Sequence, residues 1–190
     1  FVDLSYAVRA DARVRIITLK DKEGLDIYRH TCAHVLAQAI KSIYPTCSLA
    51  IGPTIENGFY YDVDFKTPIT QDALATIEEE MKLIVKGNFR IERFELPRKE
   101  AVALMAKFNE PYKVQLIKDL PDDSVISFYR RGDFTDLCRG PRRPSTGMIK
   151  AFRLTSVTGA YWRWDSKNKM LTRIYGTAFA KKSALEEYLA

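Results

Sequence analysis

The sequence contains only two histidines, His30 and His34, and they lie four residues apart. On a helix, residues at this spacing project from the same face, so the two imidazoles would lie side by side. Such a pair can bind a metal ion, orient a water molecule or exchange protons near neutral pH. The alternative is a pair of surface or packed histidines without a chemical role. The spacing alone leaves both interpretations open.

A second group of reactive side chains surrounds Cys138, in the stretch from Asp136 to Pro144. The glycine and prolines of this stretch predict a rigid, exposed loop that follows a short strand. Several arginines flank the cysteine, and neighbouring cations predict a lowered pKa for its thiol. The alternative is a small buried cysteine beside a solvated basic loop, because cysteine is commonly buried.

The histidine pair requires a helix, and the sequence predicts one at residues 25–44. Pro45 ends this helical pattern. Its apolar face consists of Tyr28, Cys32, Val35, Leu36, Ala39, Ile40 and Ile43. Ahead of the helix, the alternating and β-branched residues 14–19 predict a strand. Residues 21–24 predict a turn between the two.

The remaining pattern mixes helices and strands. Apolar alternation predicts strands at residues 58–65, 89–96, 125–129, 151–157, 161–164 and 171–175. Helical periodicity predicts helices at residues 70–86, 99–108, 112–120 and 182–189. Thr70 is the expected N-cap of the first of these, and Gly87 its C-terminal stop. Without regular βαβ repetition, we expect an α+β fold, with a mainly antiparallel sheet packed with several helices.

The composition is that of a folded, soluble and basic protein. The 190 residues are 46% hydrophobic and 28% charged, with a formal net charge of +6. This charge suits a polyanionic partner such as RNA, although a basic protein without such a partner has the same charge. No apolar run approaches a membrane span, and we expect the first residues not to be a signal peptide, because they lack a basic lead and a long apolar segment. The three cysteines do not form a disulfide framework, so we expect a cytoplasmic location.

Two motifs become specific when they are taken together. They are His30-Thr31-Cys32-Ala33-His34 and Asp136-Leu137-Cys138-Arg139-Gly140-Pro141. This combination resembles the editing domains of threonyl- and alanyl-tRNA synthetases. Three further stretches resemble the threonyl branch: residues 51–62, 112–114 and 159–177. We therefore expect residues 21–190 to form the editing domain. We expect residues 1–20 to be the end of the ubiquitin-like TGS domain that precedes it in this family, with a linker.

The resemblance implies an activity, which is hydrolysis of the ester that joins a wrongly attached serine to threonine tRNA, while threonyl-tRNA is spared. The chain would then be a deacylase domain of a threonine–tRNA ligase and would lack the aminoacylation site. Residues at matching positions imply the catalytic groups: His30, His34, Lys113, Asp136 and Cys138. A histidine would activate water, and Lys113 would stabilise negative charge. Asp136 would hold the seryl amino group or orient a histidine, and Cys138 would shape the pocket.

The chain departs from the family pattern at two positions, of which only the first is expected in the pocket. Tyr61 and Arg142 are the expected substrate-binding residues, but Arg142 stands where the Cys-x-x-x-His pattern has its histidine. Trp164 stands where the resemblance predicts glycine. The alanyl relatives use zinc and the threonyl relatives do not. We therefore expect no metal and no cofactor for editing, with ATP, Mg and Zn used elsewhere in the full enzyme. A zinc site of three ligands, His30, His34 and Cys138, is the weaker alternative.

The implied partners are threonine tRNA, through its CCA end with the seryl ester, and the rest of the synthetase chain. The residues expected to contact the nucleic acid are Arg139, Arg143, Lys150 and Arg153. The alternative for these four is an ordinary solvated basic face. Two rival functions also remain. One is a tRNA-binding module without catalysis, in which Arg142 marks a degenerate site, and the other is a zinc-binding structural domain.

Overall fold

The computed structural model describes residues 1–190. The five helices are α1 (Lys22–Ile43), α2 (Ala73–Gly87), α3 (Arg98–Lys107), α4 (Pro111–Asp119) and α5 (Lys182–Leu189). The eight strands are β1 (Ser48–Leu49), β2 (Thr54–Ile55), β3 (Gly58–Asp64), β4 (Glu92–Glu95), β5 (Ser127–Arg131), β6 (Phe134–Leu137), β7 (Ala151–Tyr161) and β8 (Met170–Phe179). Two short 3₁₀ helices span Thr146–Met148 and Trp162–Trp164.

The strands form two sheets, and every strand pair is antiparallel, so the predicted α+β class is confirmed. The larger sheet has the order β1-β3-β8-β7, and β2 also pairs with β3. Its register places Tyr61 opposite Ile174. The smaller sheet has the order β4-β5-β6, with Tyr129 opposite Asp136. Tyr61 and Asp136 are thereby fixed in different sheets.

Each sheet is covered by its own pair of helices. Helices α1 and α2 pack on the larger sheet and form the main core of 22 buried residues, which includes Leu36 and Ile77. Helices α3 and α4 pack on the smaller sheet around Met105, Ile117 and Phe128. The boundary between these two layers is where side chains from both sheets meet.

Helix α1 is buried on almost every side. The predicted apolar face is buried as expected, except that Ile43 is only partly buried. The small residues Ala33 and Ala37 are also fully buried. On one side α1 packs on β3 and β8, and on another the guanidinium of Arg131, from β5, donates hydrogen bonds to Gln38 and to the carbonyl of His34. The helix that carries both histidines is therefore held between the two layers.

The predicted strand at residues 14–19 is wrong. No helix or strand occurs before Lys22, and Val14 and Ile16 are 75% and 77% exposed. An alternating pattern forms a strand only where a neighbouring strand takes up its backbone hydrogen bonds, and none lies beside these residues. The turn predicted at residues 21–24 lies earlier, at residues 19–21, and Lys22, Glu23 and Gly24 already belong to α1. The origin of residues 1–20 in a preceding ubiquitin-like domain stays a prediction.

Most of the other predicted helices and strands are present near their expected positions and differ at their ends, whereas the short strands β1 and β2 were not predicted. Helix α2 begins at Ala73, three residues after the predicted N-cap Thr70. The left-handed residue that follows the helix is Asn88, and not the predicted Gly87. Strand β4 is shorter than predicted. Residues 161–164 do not form a strand of their own, because β7 continues to Tyr161 and a 3₁₀ turn follows.

That 3₁₀ turn contains a backbone conformation that favours glycine. Trp164 has φ = 56°, in the left-handed region. For a residue with a Cβ atom this region costs about 1–2 kcal/mol, whereas glycine adopts it readily. The Trp164 side chain is 78% exposed, so its packing offsets little of this cost. The turn thus explains in physical terms why the resemblance predicts glycine here.

We predict that Trp164→Gly increases the free energy of unfolding by about 1 kcal/mol, because it removes the left-handed strain. Urea denaturation of the two proteins measures this difference. Trp164→Ala is the matched control, since it deletes the same indole but keeps the strain, and it should give no gain. Equal stabilisation by both substitutions would show that the exposed indole, and not the backbone, is the cause.

Candidate active site

Seven of the residues selected from the sequence converge where the two layers meet. They are His30 and His34 on α1, Tyr61 on β3, Lys113 on α4, Asp136 on β6, and Cys138 and Arg142 in the loop after β6. Five of the seven side chains are buried, and only His30 and Cys138 are partly exposed. The contacts between them form one connected polar cluster.

Asp136 is at the centre of this cluster. Its carboxylate accepts a hydrogen bond from the Tyr61 hydroxyl at 2.9 Å and pairs with the Lys113 ammonium at 3.2 Å. The ammonium also donates to the Tyr61 oxygen at 2.8 Å. Burial and the negative charge of Asp136 raise the pKa of Tyr61. The phenol therefore keeps its proton and remains a hydrogen-bond donor to the carboxylate.

His34 lies on the other side of the same carboxylate. Its Nδ1 atom is 3.3 Å from Oδ2 of Asp136, although the N–H is not aligned for a hydrogen bond. Its Nε2 atom is 3.0 Å from Nη2 of Arg142. A guanidinium has only donors, so Nε2 must accept, and the imidazole proton lies on Nδ1, facing Asp136.

The guanidinium of Arg142 lies between the two imidazoles and the thiol. Its Nη2 atom is 3.0 Å from Nε2 of His30 and also contacts the sulfur of Cys138. Its Nη1 atom is 2.9 Å from Nδ1 of His30 and donates to the carbonyl of Pro141. The residue is only 4% exposed. The buried guanidinium thus lies within the cluster, facing the histidines and the thiol.

Both histidines are held in the neutral form. Burial, and then the charges of Arg142 and Lys113, lower the pKa of His30 to about 3. Burial and Arg142 likewise hold the pKa of His34 well below its usual value. At neutral pH each imidazole therefore offers one lone pair, and these lone pairs face the Arg142 guanidinium.

The predicted lowering of the Cys138 pKa is wrong. Burial raises the pKa of this thiol and outweighs the opposing effect of the Arg142 charge. Desolvation penalises a thiolate, and the arginines that suggested activation in the sequence are mostly directed elsewhere. Cys138 is therefore a neutral thiol, which is a weak nucleophile.

Two glycines allow the cluster to close. A Cβ atom on Gly52 would lie 2.2 Å from the ring of Tyr61, so only glycine lets that ring take its place. Gly140 has φ = 78°, and a Cβ atom there would lie 1.7 Å from the Tyr129 hydroxyl. Glycine at these positions thus determines how closely Tyr61 and the Cys138 loop approach.

Three residues of the surroundings were not found from the sequence. Arg131 is 1% exposed and anchors α1 below the site. Asp3 accepts hydrogen bonds from the Tyr129 hydroxyl at 2.5 Å and from the Arg142 amide at 2.7 Å. The Tyr129 ring lies 5.3 Å from the Arg142 guanidinium. No local motif indicates these contacts, because they join distant parts of the chain.

The four arginines and lysines expected to contact nucleic acid lie in two places. Arg143 borders a cleft of about 510 Å³ that Arg90, Arg93 and Arg130 also line. Arg139 lines the adjoining cleft, beyond Tyr129 and Asp3. Lys150 and Arg153 lie instead around the start of β7, where Arg153 is 3.5 Å from Glu78. The structure therefore associates Arg139 and Arg143 with the surface beside the site.

Comparison with known proteins agrees with this fold. Residues 126–175, which include Asp136, Cys138 and Arg142, match the family described as the threonyl and alanyl tRNA synthetase second additional domain. A threonine–tRNA ligase of Clostridium kluyveri is 58% identical over 188 residues, which is 99% of this chain and 30% of that protein. Those of Acetivibrio thermocellus and Clostridioides difficile are each 57% identical, over 98% and 99% of this chain and 29% of their own lengths.

The chain therefore contains a second additional domain of the synthetase type. It belongs to this family on the threonyl branch, as a threonyl-tRNA synthetase editing-type domain. The chain spans less than a third of the length of these relatives. None of its helices is long and apolar enough to cross a membrane.

We predict that neither histidine titrates between about pH 8 and pH 5, because both folded-state pKa values are depressed. In this range the unfolded chain binds protons at His30 and His34 and the folded protein does not, so stability falls as the pH falls. His30 alone should account for a loss of about 2 kcal/mol between pH 7 and pH 5. Imidazole NMR signals and urea denaturation measure the two effects.

His30→Gln is the control for this assignment. The variant lacks the proton uptake of the unfolded His30, so its stability should decrease less between pH 7 and pH 5. A native imidazole signal that titrates near its ordinary pKa of about 6.5 would contradict the structure.

Proposed function

We propose that this domain hydrolyses the ester of seryl-tRNA(Thr) and spares threonyl-tRNA(Thr), as the editing activity of a threonine–tRNA ligase. Its partners would be threonine tRNA and the rest of the synthetase chain, in the cytoplasm. Family membership supports the class of protein. The observation that carries the activity itself is the electrostatic character of the buried cluster.

The cluster contains more positive than negative charge. Lys113, Arg142 and Arg131 are buried cations, and Asp136 is the only carboxylate that contacts the two histidines or Lys113. Hydrolysis of an ester passes through a tetrahedral intermediate whose former carbonyl oxygen is negatively charged. Donors that are already oriented in a water-poor site stabilise such an oxyanion more strongly than they stabilise the neutral ester.

In the proposed mechanism Arg142 polarises the ester carbonyl. When the ester carbonyl oxygen approaches, it competes with the imidazoles for the N–H groups of the Arg142 guanidinium. One lone pair, on the partly exposed His30, is then free to accept a hydrogen bond from the attacking water and to orient it. As the water attacks, its proton passes through this imidazole to the ribose oxygen that leaves, so the imidazolium, which burial and Arg142 disfavour, does not accumulate.

The remaining residues position these groups. Asp136 orients His34 and holds Lys113 and Tyr61 in place. The Lys113 ammonium is paired with this carboxylate, and its positive charge would also stabilise negative charge that develops nearby. Cys138 shapes the pocket as a neutral thiol and does not attack the ester.

The preference for serine has a steric basis. A site that binds threonine rejects serine poorly, because one missing methyl group is worth only about 1–3 kcal/mol. A second, smaller site can accept serine and exclude threonine, which is the general double-sieve logic of aminoacyl-tRNA synthetases. We assign the limiting wall to Tyr61 and the face of α1 that carries the histidines.

One observation favours a second candidate function, a tRNA-binding module without catalysis. Arg142 engages acceptor nitrogens of both histidines in the structure, so neither imidazole is free to take a proton from water without a rearrangement. If Arg142 never releases them, the domain binds the CCA end and does not hydrolyse the ester.

We predict that the chain hydrolyses seryl-tRNA(Thr) faster than threonyl-tRNA(Thr), and that Lys113→Ala or His34→Ala lowers kcat/KM by about 10²–10³-fold. His30→Ala should also slow hydrolysis, and Cys138→Ala should have the smallest effect. Release of labelled amino acid from each charged tRNA is the measurement. Lys182→Ala, at an 85% exposed side chain on α5, is the control and should be unchanged.

Absence of hydrolysis together with retained tRNA binding would select the non-catalytic module. Equal rates for the wild type and all four site variants would remove the proposed site. Circular dichroism of each variant separates loss of chemistry from loss of folding.

The clefts beside the site support a path for the CCA end. Arg139 and Arg143 border adjoining clefts next to the Cys138 loop, and Arg90, Arg93 and Arg130 add cationic groups. Some of this charge is compensated, because Arg93 pairs with Glu95 and Arg130 with Glu92. Arg139 and Arg143 form no ion pair within the chain and are therefore the better candidates for phosphate contacts.

We predict that the double variant Arg139→Ala/Arg143→Ala raises KM for seryl-tRNA(Thr) several-fold and leaves kcat nearly unchanged. Each lost phosphate contact should reduce the salt dependence of binding by about 0.7 in the log–log slope, as for single strands. Lys181→Ala/Lys182→Ala removes the same charge at exposed positions on and just before α5 and serves as the control. A similar KM increase in both double variants would indicate a general charge effect rather than a specific path.

A further inference from the structure

Glu110 is a buried carboxylate that the proposed mechanism does not use. It is 6% exposed and immediately precedes α4, the helix that carries Lys113. Side chains at this N-cap position commonly accept a hydrogen bond from the first turn of the helix, but that of Glu110 forms none with α4. Its carboxylate is directed instead to two other elements.

One oxygen of this carboxylate binds the edge of the larger sheet. Oε2 of Glu110 accepts a hydrogen bond from the backbone N–H of Leu49 at 2.8 Å. Leu49 lies in β1, the terminal strand of that sheet, and is buried. A buried N–H without an acceptor is costly, and no further strand lies beside β1 to supply one. Glu110 therefore satisfies a group that the sheet itself leaves open.

The other oxygen of the carboxylate pairs with a lysine of α1. Nζ of Lys41 is 2.6 Å from Oε1 of Glu110 and also donates a hydrogen bond to the carbonyl of Cys47. Lys41 lies about two turns after His34 on the same helix. The ion pair is therefore a direct link between the helix that carries the histidines and the start of α4.

The start of α4 determines where the Lys113 ammonium lies. Lys113 is three residues after Glu110, in the first turn of a helix of nine residues. Its ammonium is 3.2 Å from Asp136 and 2.8 Å from the Tyr61 oxygen. A displacement of a catalytic group by about 1 Å can cost on the order of 10²-fold in rate. The placement of this first turn is thus important for any role of Lys113 in hydrolysis.

Other polar side chains of α4 make different connections. The Tyr112 hydroxyl donates to Asp64 of β3 at 2.7 Å, and Gln115 accepts a hydrogen bond from the Trp162 indole at 3.0 Å. These contacts fix α4 against the larger sheet and the 3₁₀ turn that follows β7. Of the three connections, only that of Glu110 extends to α1.

We propose that the ion pair of Glu110 and Lys41 positions the Lys113 ammonium relative to the two histidines of α1. Glu110 is then a positioning residue for ester hydrolysis, because it acts through Lys113 and not on the ester itself. This inference rests on the proposed function, in which Lys113 stabilises negative charge that develops during hydrolysis.

The first test is the hydrolysis of seryl-tRNA(Thr) by Glu110→Gln, which keeps an acceptor for the Leu49 amide and removes the charge that pairs with Lys41. We expect kcat to fall about 10-fold and KM to change less than about two-fold, because Lys113 is expected to act in the transition state. Lys41→Met should have a similar effect. Lys41→Arg keeps the positive charge and should retain most of the activity.

A second variant background separates positioning from a general loss of structure. In a Lys113→Ala chain, Glu110→Gln should lower kcat by less than about two-fold, because the group that it positions is absent. Glu78→Gln is the matched control. The Glu78 carboxylate accepts the N–H of Leu154 in the opposite edge strand β7 at 2.8 Å and lies 3.5 Å from Arg153, so the contacts are of the same kind. This control should leave kcat unchanged.

An NMR measurement makes the test independent of hydrolysis. The side-chain ammonium signal of Lys113, in protein made with isotope-labelled lysine, is assigned by its loss in Lys113→Ala. Glu110→Gln and Lys41→Met should each shift this signal, and Glu78→Gln should not. Lys41→Met, at a more exposed position than Glu110, provides the same test if circular dichroism shows that Glu110→Gln is unfolded.

The outcomes distinguish this inference from the proposed function. Absence of hydrolysis by the wild type would contradict the editing function, and the Lys113 signal would then decide the positioning by itself. An unchanged Lys113 signal in the folded variants would overturn the positioning. So would a loss of kcat by Glu110→Gln that is equally large with and without Lys113.

Discussion

The buried carboxylate of Asp136 joins side chains from both layers of the molecule. A buried charge is tolerated only when it is paired and hydrogen-bonded, and removal of a partner from such a pair typically costs about 3–5 kcal/mol. Asp136 is satisfied by Lys113 from α4 and Tyr61 from β3, with His34 of α1 beside it. A single residue thus ties the two sheets and their helices into one unit, and the site lies at this junction.

The same pairing leaves the cluster with an excess of positive charge. Asp136 compensates Lys113, whereas Arg142 faces two neutral imidazoles, and Arg131 is bonded to Gln38 and a backbone carbonyl. Neutral acceptors take hydrogen bonds from both arginines without cancelling their charge, while Nε of Arg142 and Nη1 of Arg131 have no partner. The histidines therefore remain unprotonated, and the site favours a negatively charged group over a cation. This bias underlies the proposed oxyanion stabilisation.

The segment before α1 contributes to the site although it has no regular secondary structure. Asp3 accepts hydrogen bonds from Tyr129 and from the amide of Arg142, so it supports the loop that presents the guanidinium. Gly140, which allows the same loop to approach Tyr129, is the glycine between Cys138 and Arg142. The position of Arg142 is accordingly determined by contacts outside the motif in which it occurs.

Local periodicity was enough to predict the α+β class and most of the helices and strands, and residue type and spacing pointed to His30, His34 and Cys138. The other site residues were implied by the resemblance to known editing domains: Tyr61, Lys113, Asp136 and Arg142. Only the folded chain shows that Arg142 is buried between the histidines, that the Cys138 thiol has a raised pKa and that residues 14–19 form no strand. Desolvation, partner strands and charge pairing are properties of the folded surroundings, which neighbours in the sequence do not specify.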